Sequence, residues 1–224
     1  MTAQWDYVIV GGGSAGCVLA HRLSESGAHR VLLIEAGGSD WRLRVWMPIG
    51  YGLSFYDPRL NWMLQTEPEA SLGGRRGYWP RGRVLGGSSS INAMVFVRGA
   101  PEDFNDWRDL GQLGWGWEDV LPAFRRMEAI QTGSDTMRGR SGPVGLTKTT
   151  AEVHPLCERF LAAGQSLGQP LNDGFNGGDL EGVGLYEINT QGGLRMSAAR
   201  AYLQPARRRP NLEVWTHAQA TRVE

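Results

Sequence analysis

Residues 5–37, WDYVIVGGGSAGCVLAHRLSESGAHRVLLIEAG, read as one complete βαβ unit and leave the chain few ways to begin folding. Tyr7, Val8, Ile9 and Val10 form a short apolar run with β-branched residues, suited to a parallel strand buried on both faces. Gly11, Gly13 and Gly16 follow in G-x-G-x-x-G spacing. Ala15, Val18, Leu19 and Leu23 then recur at helical intervals, Gly27 ends the helix, and Val31 to Ile34 supply a second strand closed by Glu35. Each part suits a dinucleotide. Gly11 allows the tight turn, Gly13 lets a pyrophosphate approach the backbone, and Gly16 lets helix and strand pack closely. Free N–H groups at Ser14 and Ala15 sit at the positive helix end, facing the phosphates. Glu35, followed by Ala36, accepts hydrogen bonds from both ribose hydroxyls and repels a 2′-phosphate, which disfavours NADP. A glycine-rich turn without a ligand is the plain alternative. The unit by itself fits FAD and NAD alike.

The rest of the composition narrows the function by exclusion. The 23 basic and 23 acidic residues of the 224 cancel, so there is no electrostatic footprint for nucleic acid or an anionic membrane. No apolar run approaches the roughly 18 residues of a spanning helix, and Asp6 already interrupts the first segment, so no integral membrane segment or signal peptide is expected. A cytoplasmic chain is the expectation. Cys17 and Cys157 lie far apart without Cys-x-x-Cys spacing or paired histidines, so neither a disulfide framework nor a metal site is indicated. Glycine is over-used, at 32 of 224 residues, about twice the ordinary 7%. Many positions therefore need unusual backbone angles or close approach to something.

Between Gly37 and Pro80 no regular period persists, while Trp41, Trp46, Tyr51, Phe55, Tyr56, Trp62 and Trp79 are scattered through the stretch. A structureless run of this length usually covers something large. A buried flavin fits, as does a lid packed on protein. Residues 81–105, RGRVLGGSSSINAMVFVRGAPEDFN, carry a second glycine motif. Gly86, Gly87, Ser88, Ser89 and Ser90 offer backbone N–H groups and hydroxyls for an anion, with Arg81 and Arg83 alongside; a helix entry with serine caps is the simpler reading.

Taken together, the two glycine segments resemble the glucose-methanol-choline (GMC) oxidoreductases. The run from Gly82 to Asn105 is similar to that family's first signature, and MPIGYG, NWMLQTEPE, SGPVGL, SAARAYL and RPNLEVWTHAQATRVE extend the likeness along the whole chain, towards choline dehydrogenase-like members. The resemblance implies an α/β fold: a Rossmann-like FAD-binding domain with the start of an α+β substrate-binding domain, incomplete within this chain. It implies FAD across both motifs, contacted by Arg83, Gly87 and Ser88. Val84 and the segment Asn92, Ala93, Met94, Val95 lie beside the isoalloxazine, and Ala220 passes the adenine. Some relatives attach FAD covalently through a histidine. Ile91 stands at that place here and cannot form the bond, so non-covalent FAD is expected.

The resemblance sets domain expectations of 1–155 for FAD binding, 156–205 for the beginning of the substrate-binding domain, and 206–224 for a strand returning to the first domain. Helices are expected near 118–128 and 155–167, a strand near 186–190, and the return strand from Leu212 to Val223. Trp115 and Trp117 read as core or domain-joint residues, and Arg207, Arg208 and Arg209 as solvated charges at a helix C-terminus. None of His21, His29, His154 and His217 matches the family's catalytic position. The expected activity is oxidation of a small-molecule alcohol by hydride transfer to flavin N5, with the catalytic base beyond Glu224. A flavin photodecarboxylase, a non-catalytic FAD-binding remnant, or one half of a split protein with a second polypeptide are the alternatives.

Overall fold

The computed structural model describes residues 4–149 and 153–223. It divides into two compact units, 1–94 with 192–224, and 95–191. These borders follow compaction and differ from the expected domain borders at 155/156 and 205/206, which follow function.

The first unit is built on the βαβ segment. Strand β1 (Tyr7–Val10), helix α1 (Ser14–Leu23) and strand β2 (Val31–Ile34) form where the apolar pattern places them. Strands β1 and β2 pair in parallel from Tyr7 opposite Val31 to Val10 opposite Ile34. The return strand, Leu212–Trp215, pairs in parallel on the other side of β2, so β2 is central and its first three residues are buried. The expectation for β1 is corrected here: only Ile9 is buried, and Val8 and Val10 are more than half exposed. As the edge strand of three it has a neighbour on one side only.

Helix α1 packs against a tight helical segment, Ala199–Leu203, that runs into Gln204–Ala206. Arg209 is not merely a solvated charge, because its guanidinium donates to the His21 carbonyl and to Ser24 Oγ at the end of α1. The return strand is also shorter than expected: His217 has φ 56°, which ends the extended run, and the Ala218 N–H then donates to the Glu35 carbonyl at 3.0 Å.

The aromatic stretch after Gly37 has short elements after all, with helical turns at Leu43–Trp46 and Tyr51–Ser54 and a small hairpin pairing Leu64–Gln65 with Tyr78–Trp79. Val45, Leu60, Val84 and Ile91 make an apolar cluster behind them, with Trp46 packed against it.

In the second unit, the short strands Val95–Phe96, Glu187–Ile188 and Thr147–Lys148 form an antiparallel sheet. Helices Pro101–Asp109, Trp117–Met127 and Pro155–Ser166 accompany it. Trp117 is buried against Phe104 and Phe124, whereas Trp115 is more than half exposed and is not a core residue. Arg138 is buried between two carboxylates, donating to Glu128 Oε1 at 2.8 Å and Glu187 Oε2 at 2.7 Å. Burial of such a charge is tolerated only because both partners are present. Among the described residues no helix is long and apolar enough to cross a membrane.

Candidate functional site: a nucleotide-sized cavity between two glycine loops

Helix α1 begins at Gly13 with no side-chain cap and no acidic residue in its first turn. Its leading N–H groups therefore lack intrahelical partners, and the positive end of the helix is left open. The second glycine loop comes directly onto the first. Gly86 N–H donates to the Gly12 carbonyl at 2.7 Å, and a Cβ on Gly87 would stand 2.8 Å from Gly13 Cα, so only a bare backbone fits there. The loop turns through left-handed angles at both Gly86 and Gly87 before the helical turn Gly87–Ser90.

Between the loops lies a cavity of about 480 Å³. Its lining takes Gly11, Gly13 and Ser14 from the first loop, Gly82, Gly87 and Ser88 from the second, Glu35 and Ala36 from the end of β2, and Ala218 and Ala220 from beyond the return strand. A Cβ on Gly13 would meet no atom within 4 Å, so this glycine keeps open space open. Gly16 has the opposite task, since its Cβ would fall 1.9 Å from the Gly11 carbonyl oxygen. It lies behind the wall, where helix and strand meet.

Glu35 is buried, and its carboxylate is already engaged: Oε2 accepts the Gly12 N–H at 2.7 Å and Oε1 accepts the Gly37 N–H at 2.8 Å. Glu35 also borders the cavity, and each oxygen has a second lone pair beyond the one engaged by the backbone. The carboxylate thus ties the first loop to the end of β2, a task that motif spacing does not reveal. Cys17 lies under the same loop, its thiol donating to the Gly12 carbonyl, and burial pushes its pKa up to about 12. It is an inert packing residue.

Eight of the expected contacts border the cavity: Gly11, Gly13, Ser14, Glu35, Ala36, Gly87, Ser88 and Ala220. Arg83 does not; its guanidinium lies over the Trp62 ring at 4.9 Å, with Nε buried and without a hydrogen-bond partner. Val84 is enclosed in the apolar cluster. Ala15 is also outside the cavity wall, as are Asn92, Ala93 and Met94, which continue the second loop, and Val95 begins the second unit. Trp62, Gly82 and Gln219 also border the cavity, as does Arg81, the charge beside the second glycine motif. Arg81 and Trp62 were visible only as a nearby charge and one of many aromatics.

The histidines are occupied elsewhere. His154 Nδ1 accepts the Leu156 N–H at a helix start, His29 meets Tyr7 edge-on, and the His217 ring covers Gly38. His21 packs on Tyr202, and burial together with Arg209 lowers its pKa. None of the four borders the cavity.

The model describing the GMC oxidoreductases matches residues 5–224. The chain belongs to the GMC oxidoreductase family. An oxygen-dependent choline dehydrogenase from Photobacterium profundum is 47% identical over 215 residues, covering 96% of this chain and 38% of the relative. The crystal structure of pyridoxine 4-oxidase from Mesorbium loti superposes with TM-score 0.93 at 41% identity, covering 99% of this chain and 44% of that one. An FAD-dependent oxidoreductase from Chaetomium thermophilum gives TM-score 0.86 at 30% identity over 94% of this chain and 38% of its own. This GMC chain therefore spans about two fifths of the length of the relatives it matches. The Rossmann-like reading of its first unit agrees with these relatives, and the family is one of FAD-dependent oxidoreductases. Ile91, at the place the resemblance gives to a linking histidine, is 1% exposed within the apolar cluster.

Proposed function

We propose that the chain is the FAD-binding portion of an enzyme that oxidises a small alcohol at its CH–OH group, with FAD held non-covalently. The observation that carries this reading is the cavity itself: its lining brings together an uncapped helix end, a left-handed glycine loop and the Glu35 carboxylate. Backbone N–H groups of Gly13, Ser14 and Ser88 bind the pyrophosphate, Glu35 takes the ribose hydroxyls, and Ala218 to Ala220 flank the adenine. Arg81, stacked on Trp79 at 5.0 Å, adds positive charge beside the phosphates. Asn92 to Val95 border the isoalloxazine. FAD, when bound, supplies the acceptor at N5 for the hydride that leaves the alcohol carbon.

A base must take the hydroxyl proton as the hydride departs. The four histidines are engaged away from the cavity, so the reading assigns that base to a residue outside these 224. Two outcomes follow. Acid precipitation of purified protein should release all of its flavin to the supernatant as FAD; flavin retained in the pellet would contradict non-covalent binding. The 224-residue polypeptide should show no dye-linked alcohol oxidation, whereas sustained turnover would place the base within it.

A further inference from the structure

We propose that Arg195 is a positioning residue for the flavin site: it clamps the second glycine loop through Ser89 and Asn92, and its uncompensated buried charge keeps the site electropositive. Arg195 is 1% exposed and heads the fully buried side chains by volume among the described residues. Its Nε donates to the Val45 carbonyl at 2.9 Å, and Nη1 donates to the Ser89 carbonyl at 3.1 Å and to Asn92 Oδ1 at 2.7 Å. Nη2 has no hydrogen-bond partner, and no carboxylate is among these acceptors. Burial lowers its pKa to about 10, which leaves the group charged at neutral pH.

A buried cation without a counter-charge is costly unless something negative answers it. What Arg195 does meanwhile is geometric. Asn92 Oδ1 also accepts the Met94 N–H at 3.1 Å, and Met94 is a buried residue at φ 64°, a left-handed angle that side chains other than glycine rarely adopt. The guanidinium therefore fixes the carboxamide that holds this turn. It also fixes Ser89, next to Ser88 in the cavity wall, while the Ala198 N–H holds Ser89 Oγ at 2.9 Å. An arginine suits this place because its rigid fork donates from two nitrogens, Nε to Val45 and Nη1 to Ser89 and Asn92, a spread that the single nitrogen of an ammonium does not reproduce.

The inference rests on FAD occupying the cavity as proposed above. The test is FAD titration of wild-type protein, Arg195→Met and Arg195→Lys, with the flavin midpoint potential measured for each. Both variants lack the fork and should bind FAD roughly tenfold more weakly or worse. The potential should fall in Arg195→Met and stay close to wild type in Arg195→Lys, because only the latter keeps the charge. Wild-type protein that binds no FAD would refute the cofactor assignment. Wild-type binding with unchanged affinity in both variants, or a potential that moves in both or in neither, would overturn the role given to Arg195 alone. Should Arg195→Met not fold, Asn92→Ala takes its place: weakened FAD binding supports the clamp and unchanged binding overturns it.

Discussion

Glu35 shows how one side chain can serve both fold and ligand. Replacing it with alanine strips acceptors from the buried Gly12 and Gly37 N–H groups before any nucleotide is considered. An orphaned buried donor costs about 1–3 kcal/mol, less where water enters the cavity. Glu35→Ala should therefore lower the melting temperature of the cofactor-free protein by roughly 4–8 °C, for a loss of about 2 kcal/mol. Scanning calorimetry checks this; an unchanged transition would mean that the two hydrogen bonds contribute nothing. The acid at the end of β2 was legible because it closes the second strand of the βαβ unit. Its two backbone partners were not, because spacing along a chain does not show which amides a fold brings to a carboxylate.

Among elements, legibility follows how regularly the stabilising residues are spaced. The βαβ unit announces itself because its apolar periods match its elements. Between Gly37 and Pro80 the elements are two to four residues long and are held by side chains at irregular spacings: Asn61 Nδ2 reaches the Phe55 carbonyl at 2.7 Å, and Asp57 gathers Arg59 at 2.9 Å and Arg44 at 2.7 Å. No periodic pattern encodes such contacts. The strength of the Asp57 node is testable through pH. Hydrogen bonds from Arg59, with Arg44 beside them, hold its carboxyl at a pKa of about 2, below the usual 3.8. A depressed carboxyl pKa stabilises the fold above its unfolded value, and that contribution disappears as pH falls through the folded value. Asp57→Asn should therefore cost about 1–2 kcal/mol at pH 7, allowing for solvent screening of the exposed arginines. The difference from wild type should shrink between pH 4 and pH 2. A difference independent of pH would remove the charge from the explanation.

For the molecule as a whole, the family and the α/β character were legible from two glycine segments and the signature around them, while compact organisation was not. The break after Met94 falls inside the signature that reads as one motif, and the chain rejoins the first unit at Gly192. A sequence signature marks residues that share a chemistry along the chain, whereas compaction follows which residues touch. The return strand binds both ends of the chain into one sheet beside β2, and the residues that follow it complete the cavity. Titration of the purified protein with FAD, run beside Gly13→Ala, decides whether that cavity is a nucleotide site. A methyl at Gly13 meets no heavy atom within 4 Å beyond its chain neighbours, so it should cost no more than the small loss of a glycine at a helix N-cap, roughly 1 kcal/mol or less, while occupying the space a phosphate needs. Saturable one-to-one binding is expected, competed by ADP and weakened roughly tenfold or more in the variant. No binding, or binding indifferent to both ADP and the added methyl, would contradict the assignment.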